Sequence, residues 1–474
     1  MVRTIDEINE KIANGEAVVL TAEEFIKMCK EEGVKSAFKK VDVVTTGTFA
    51  PMCSSGAFIN FGHTVPPMRM ERIKLAGVPV YGGIAAVDGY LGATAESEED
   101  PTFGGGHVIE LLIRGEKLLL QAWGKGTDCY PRRYYEGLVD KHSINDFYLF
   151  NPRNAYQNYS AATNGSDRIL YTYMGKLLPN YGNVTFSTSG ELSPLLKDPK
   201  LRTIGVGTRI FLGGTIGYVA WYGTQFRTNV KEDENGVPMV PARTLALIGD
   251  AKKMSAEYVR GAYFKNYGVT LFVGVGVPIP VLDEEIAFYL SLSNRELKTE
   301  IRDYSRPEKP LIRVVTYSEL FSGEVELFGK LVRTSPLSSL SKAREIANTL
   351  KEWVEKGRFY LTKPVEMLNE ERALLTRPND DLDILQNLEI DLEIERLKSS
   401  LHNECVGCGA CISVCNFGAL RFNETGKVTV IRNLCTGCRL CEDVCPIGLP
   451  LPEVEVLQVK RLEVNECNEG TCCK

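Results

Sequence analysis

Eight of the 14 cysteines repeat one spacing, and that repeat constrains the chain more than any other feature. Cys405, Cys408, Cys411 and Cys415 read C-x2-C-x2-C-x3-C, and Cys435, Cys438, Cys441 and Cys445 read the same 30 residues later. Thiolates are soft ligands, and two-residue gaps let a short loop wrap three of them around one face of a cubane iron–sulfur cluster. In such paired runs the fourth ligand comes from the other repeat. The spacing therefore assigns Cys405, Cys408, Cys411 and Cys445 to one 4Fe–4S cluster, and Cys435, Cys438, Cys441 and Cys415 to a second. Pro446 follows the second repeat, whereas Asn416 stands at that place in the first, which spares the ligands and alters local hydrogen bonding. Two zinc sites are the alternative, but zinc motifs lack the x3-C interlock. The expected fold of this region is a small α+β, bacterial-type two-cluster ferredoxin-like domain.

The rest of the chain is poor in cysteine: Cys29, Cys53 and Cys129 alone precede residue 400. Such crowding argues for metal or redox chemistry over a disulfide framework. At 474 residues the chain has room for two or three domains. A net charge of −6 gives no footprint for nucleic acid or an anionic membrane. The first twenty residues hold no uninterrupted apolar stretch of the length a secretory signal needs, and no apolar run approaches the ~18 residues of a membrane span. A cytoplasmic location is expected.

Residues 1–365 read as a mixed α/β catalytic domain. TAEEFIKMCKEEG (21–33) spaces its apolar residues as an amphipathic helix, with Thr21 and Glu24 set as a capping box. SLSKAREIANTLKEWVEKG (339–357) is a second helix, stopped by Gly357. VDVVTT (41–46), HVIELLI (107–113) and VTLFVGVGV (269–277) read as strands. Residues 45–225 are dense in Gly, Ser, Thr, Pro and Tyr, which signals tight turns or close backbone approach. No phosphate-binding loop is present, and GVGVPIP (274–280) is not a dinucleotide fingerprint. An acidic connector (366–395) ends in the alternating NLEIDLEI, the cluster domain follows (396–460), and a tail (461–474) carries Cys467, Cys472 and Cys473. That tail either relays sulfur or electrons or holds incidental thiols.

Cys53 (TFAPMCSSGAF) and Cys129 (GKGTDCYPRR) lie in loops of small and polar residues, whereas Cys29 falls inside a helix and reads as a packing residue. Arg132 and Arg133 follow Cys129 closely, and a nearby guanidinium favours a thiolate. On residues alone, two inert buried thiols are as good a reading as two reactive ones. The strings VVTTGTFAPMCSSGAFINFGH, GTDCYPR, NPRNAYQNY and RTIGVGTRIFLGGTIGYVAW resemble the homocysteine biosynthesis family, the L-aspartate semialdehyde sulfurtransferases of anaerobic archaea and bacteria. The likeness runs on through VRTSPLSSLSKAREIA (332–347). It implies insertion of sulfide into an aldehyde to give homocysteine, with an iron–sulfur partner and both Cys53 and Cys129 as candidates. In relatives that partner is often a separate polypeptide with a further small domain, for which this chain leaves little room.

Aldehyde-to-thiol conversion consumes sulfide and two electrons, which suits two one-electron clusters. The expected course is a persulfide on one cysteine, favoured at Cys129 for its arginines, that attacks the aldehyde. The second cysteine then closes an intramolecular disulfide, which the clusters reduce. His63 and His107 are candidates for proton transfer, and Arg132 or Arg153 for holding a substrate carboxylate. His142 and His402 have no such context. The expected partners are a small aldehyde, sulfide and an external low-potential electron donor, and a homodimer is expected. Two other readings remain open here. One is a related sulfurtransferase acting on sulfoacetaldehyde toward coenzyme M; the other is a non-catalytic electron-transfer subunit.

Overall fold

The computed structural model describes residues 3–154, 158–375, 394, 397, 405–447 and 449. The alternating segment 387–394, His402 and the tail cysteines fall outside the described residues, apart from Ile394. The chain divides into two compact units, Met1–Leu375 and Thr376–Lys474. Among the described residues no helix is long and apolar enough to cross a membrane.

The first unit is mixed α/β, built around a 13-stranded antiparallel sheet. From one edge it runs Val259–Phe264, Gly268–Gly276, Arg209–Leu212, Thr215–Tyr222, Leu245–Asp250 and Asp146–Asn154. It continues through Gly56–Asn60, Asp88–Gly92, Val78–Tyr81, Arg72–Leu75 and Leu118–Trp123 to Tyr134–Val139 at the other edge. Thr48–Pro51 pairs with Gly268–Gly276 off this path. A six-stranded mixed sheet carries Leu311–Thr316, Lys298–Asp303, Ala161–Thr163, Val184–Phe186, Lys330–Pro336 and Glu324–Leu327. Val43–Thr45 lies in a third, three-stranded sheet.

The helices expected at 21–33 and 339–357 are present. Ala22–Glu32 has the full Thr21–Glu24 capping box and buries Ala22, Phe25, Ile26 and Cys29. Leu340–Glu355 buries Ala343, Ile346, Ala347, Leu350 and Val354, the stripe of a 3.6-residue period. HVIELLI is not a strand. It forms most of the helix Gly105–Arg114, which buries Val108, Ile109, Leu112 and Ile113 and ends at Gly115 with φ of 85°. Five apolar residues among seven, without alternation, fit either element, and the buried i, i+1, i+4, i+5 set belongs to a helix.

The glycines at its start are a packing device. A Cβ on Gly105 would stand 1.9 Å from the Gly92 carbonyl oxygen, and one on Gly106 would stand 2.2 Å from that of Thr270. The helix therefore meets the sheet at backbone distance.

The first unit also runs further than residue 365. Glu366–Met367 pairs with Gly205–Val206, Leu368 is buried, and Arg372 stacks 3.9 Å over the Tyr222 ring. In the second unit, two short helices, Ala410–Ser413 and Leu440–Asp443, accompany the hairpin Leu420–Phe422/Val428–Val430.

Candidate active site

Cys53 sits in the turn between Thr48–Pro51 and Gly56–Asn60. Ser55 fixes the turn by donating to the Met52 carbonyl from its N–H (3.0 Å) and its Oγ (2.6 Å). Met52 N–H in turn donates to the Leu271 carbonyl at 2.7 Å. The buried Asn151 amide donates to Ser55 Oγ from the neighbouring strand. The thiol so placed lines a cavity of about 460 Å³, a size suited to a small molecule.

The charge lining the cavity is of one sign. Its charged lining groups are Arg153, Arg227 and Lys309, and no described residue lining it is Asp or Glu. Tyr159, Tyr173 and Tyr267 contribute phenols, and Gln225 an amide. Thr270 Oγ1 donates to Cys53 Sγ at 3.1 Å. Burial pushes the Cys53 thiol up; hydrogen bonds from Thr270 and Tyr267 and the Arg153 charge oppose this without cancelling it. At rest Cys53 is therefore a protonated thiol at neutral pH. Cys29 sits in the core, where burial pushes its thiol up to about 11, so it is inert.

The other expected site residues lie elsewhere. Cys129 is exposed, on the hairpin between Leu118–Trp123 and Tyr134–Val139. His63 stacks on Tyr130 of that hairpin, with ring centroids 6.3 Å apart. Arg132 donates to the carbonyls of Tyr134 (3.1 Å) and Val65 (3.4 Å) and covers the Tyr135 ring, so its fork is engaged by backbone outside the cavity. This group packs on the loop that follows Gly56–Asn60, whereas Cys53 precedes that strand. The two cysteines thus stand at opposite ends of a strand ~13 Å long at ~3.3 Å per step. A disulfide needs Cα atoms within ~7 Å, so this conformation does not pair Cys53 with Cys129. Of the residues expected for the site, Cys53 and Arg153 come together.

His107 occupies the first turn of Gly105–Arg114, where its Nδ1 accepts from Gly104 N–H at 3.3 Å and its ring stacks on Phe103. Burial lowers its pKa, with the carboxylates of Glu110 and Asp100 opposing. A histidine lowered in the folded state contributes stability above its unfolded value of about 6.5, and loses it as pH falls toward the folded value. Protonation also blocks the nitrogen that caps Gly104. Between about pH 7 and pH 5, the melting temperature of the wild type should therefore fall more steeply than that of His107→Gln. Parallel curves would remove His107 from the acid sensitivity of the fold.

In the second unit the cysteines gather in two sets. Cys405, Cys408, Cys411 and Cys445 line one pocket; Cys415, Cys435, Cys438 and Cys441 line another. Each set takes three cysteines from one repeat and the fourth from the other, which is the arrangement a pair of 4Fe–4S clusters requires. Backbone N–H groups of Gly407 and Val428 donate to Cys405 Sγ at 3.4 Å, and that of Ala419 to Cys415 Sγ at 3.3 Å. Such bonds favour thiolate charge on a cluster. Among the described residues, no three His, Cys, Asp or Glu form a group suited to a single metal ion.

Sequence reasoning passed over Tyr173, Gln225, Arg227, Tyr267 and Lys309. They come from four separate loops, Gln225 and Arg227 sharing one, and carry no common motif. Gln225 (φ 63°) and Lys309 (φ 45°) hold left-handed backbone conformations that are uncommon outside glycine, a feature visible only in the structure.

Residues 17–361 match the family described as "Homocysteine biosynthesis enzyme, sulfur-incorporation". The chain belongs to that family. Residues 400–449 match a 4Fe-4S dicluster domain. The chain is 48% identical over 372 residues to an L-aspartate semialdehyde sulfurtransferase of Methanosarcina acetivorans, covering 78% of this chain and 72% of that protein. It is also 48% identical over 387 residues to an L-aspartate semialdehyde sulfurtransferase of Methanocaldococcus jannaschii, covering 78% and 74%. An uncharacterized protein of Methanothermobacter thermautotrophicus is 30% identical over 333 residues, 68% of this chain and 73% of the relative. No solved structure matches. The chain is a sulfurtransferase of homocysteine biosynthesis, which removes the reading of a non-catalytic electron-transfer subunit.

Proposed function

We propose that this sulfurtransferase converts L-aspartate semialdehyde and sulfide to L-homocysteine, with the sulfur carried as a persulfide on Cys53. The observation that carries this reading is the place of Cys53 in a cationic cavity, beside relatives that bear this activity by name. The carrier role thereby moves to Cys53 from Cys129, whose exposed hairpin lies away from that cavity.

A thiol held protonated is a poor nucleophile, but its persulfide has a more acidic outer sulfur and ionises at neutral pH. That sulfur attacks the aldehyde carbon, so that the carbon carries a hydroxyl and is joined through two sulfurs to Cys53. Loading Cys53 from sulfide releases two electrons and two protons, and these electrons would pass one each to two bound 4Fe–4S clusters. Cleavage of the S–S bond after addition takes two electrons and two protons back. The thiohemiacetal left then loses water, and its thiocarbonyl takes two electrons and two protons. In sum, one aldehyde, one hydrogen sulfide, two electrons and two protons give one thiol and one water. The two electrons therefore end on carbon, and no Cys53–Cys129 disulfide is needed. When bound, two 4Fe–4S clusters on the cysteine sets described above would supply these electrons singly.

Arg153 and Arg227 are placed to hold the substrate carboxylate. Arg227 is oriented by its Nε–H, which donates to the Pro241 carbonyl at 2.8 Å. Losing one charge-assisted contact removes ~1.5–3 kcal/mol, so Arg153→Met should raise KM for the aldehyde about 10- to 100-fold. A one-signed cavity also suits sulfoacetaldehyde, whose sulfonate brings no ammonium, and this is the second reading.

The test is an anaerobic assay of the reconstituted full chain with sulfide, a low-potential reductant and either aldehyde. Homocysteine formed from aspartate semialdehyde supports the first reading. Turnover of sulfoacetaldehyde alone supports the second, and no thiol from either aldehyde with the cluster absorption intact ends both.

A further inference from the structure

Addition of a sulfur anion to an aldehyde leaves charge on the carbonyl oxygen, and a placed proton donor speeds such a step. Neither histidine expected for this task lines the Cys53 cavity: His63 stacks on the Cys129 hairpin, and His107 caps a helix. The cavity contains another acid. Tyr173, in the two-residue turn between Leu170–Thr172 and Gly175–Leu177, lines the same cavity as Cys53. Its ring meets that of Tyr267 edge-on at 6.2 Å, and Tyr267 hydrogen-bonds the Cys53 thiol.

Behind Tyr173 stands a fixed cation. Lys309 Nζ donates to the Tyr173 hydroxyl at 2.8 Å and lies 4.3 Å from the centroid of the Tyr304 ring. The Tyr173 and Tyr304 hydroxyls share a hydrogen bond at 3.4 Å. The loop that presents Lys309 is held in its left-handed conformation by Arg302, which donates to the Lys309 carbonyl at 2.8 Å. Arg302 is itself paired with the buried Glu300. An ammonium against a phenol stabilises the phenolate that proton donation leaves behind. Burial resists ionisation of Tyr173, yet the bonds from Lys309, Tyr304 and Tyr159 outweigh it and bring the phenol below the ordinary tyrosine value.

We propose that Tyr173, with Lys309 behind it, is the acid that protonates the aldehyde oxygen as the Cys53 persulfide adds to the carbonyl carbon. This rests on the persulfide reading above and names the residue that completes its first step. The outer sulfur supplies the pair for the new C–S bond, and the C=O π pair moves to oxygen. That oxygen takes the Tyr173 proton and becomes a hydroxyl. The phenolate formed stays beside the Lys309 ammonium. No electron is gained or lost. Tyr173 is the catalytic residue of the pair, and Lys309 is a positioning residue that acts through it.

The experiment compares Tyr173→Phe, Lys309→Met and Lys309→Arg with the wild type in the reconstituted full chain. It reads kcat and KM for aspartate semialdehyde, persulfide content by cyanolysis, and the melting temperature. Tyr173→Phe, which removes one oxygen, should lower kcat by about 10²- to 10⁴-fold, with KM within threefold and persulfide content unchanged. Lys309→Met should lower kcat about tenfold or more, and Lys309→Arg should recover most of it. Turnover of Tyr173→Phe within threefold of the wild type overturns the proposal while leaving the persulfide reading in place. So does a parallel loss of persulfide, which would put Tyr173 in sulfur loading. A wild type that makes no homocysteine overturns both.

Discussion

Replacing Cys53 by serine should lower homocysteine formation on the order of 10³-fold or more, with the visible absorption of the reconstituted clusters unchanged. Serine keeps the size of the side chain and can still accept from Thr270 Oγ1, which reaches Cys53 Sγ at 3.1 Å. The cavity and its three cations should therefore survive. What is lost is the atom that can be extended by a second sulfur. Added thiol reductant cannot restore it. Cys129→Ser belongs to a different class, because Cys129 is exposed at the far end of the strand Gly56–Asn60. If Cys129 serves to cleave a loaded persulfide on another molecule, a small thiol in the assay should replace it. Cyanolysis of sulfide-treated protein, read beside turnover, separates the two. A Cys53→Ser protein that still carries cyanolysable sulfur and makes product would refute the assignment.

The second large effect lies in the other unit. Cys445→Ala should remove the cluster whose other ligands are Cys405, Cys408 and Cys411, and spare the one nearer its own repeat in sequence. The pockets divide the thiols this way, with Cys445 beside the first repeat and Cys415 beside the second. Iron and acid-labile sulfide should fall to about half, and thiol formation should fall with the lost electron supply. Cys411→Ala should share the residual paramagnetic spectrum of Cys445→Ala, while Cys441→Ala should show the other. If Cys445→Ala instead matches Cys441→Ala, each cluster takes its ligands from a single run and the interlocked assignment fails.

These two sites differ in how openly the chain displays them. The division of the eight cysteines into two sets was legible because a C-x2-C spacing is itself the local geometry; Gly409 and Arg439, at φ of 73° and 63°, make the turn in each repeat. The Thr21–Glu24 box and the apolar stripe of Leu340–Glu355 were legible for the same reason, since contacts three or four residues apart leave a periodic trace. The Cys53 cavity leaves none. Arg153 reaches it from the end of the strand Asp146–Asn154 and Tyr173, Gln225, Tyr267 and Lys309 from separate turns, and sheet pairing between distant segments brings them together. HVIELLI shows the limit from the other side: a short apolar run carries no mark of whether it buries one face of a helix or two faces of a strand.

Thr270 has two neighbours that face opposite ways. Its hydroxyl donates to the sulfur of Cys53, and its carbonyl lies where a side chain on Gly106 would begin. The helix that starts at Gly105 contributes no atom to the cavity lining. Yet a single methyl group on that helix has nowhere to go except into the strand that carries Thr270. A change at Gly106 would thus register as a chemical lesion at the sulfur and not as a loosening of a distant helix. The boundary of the active site, drawn by mutational sensitivity, would then extend one layer beyond the residues that any substrate could touch.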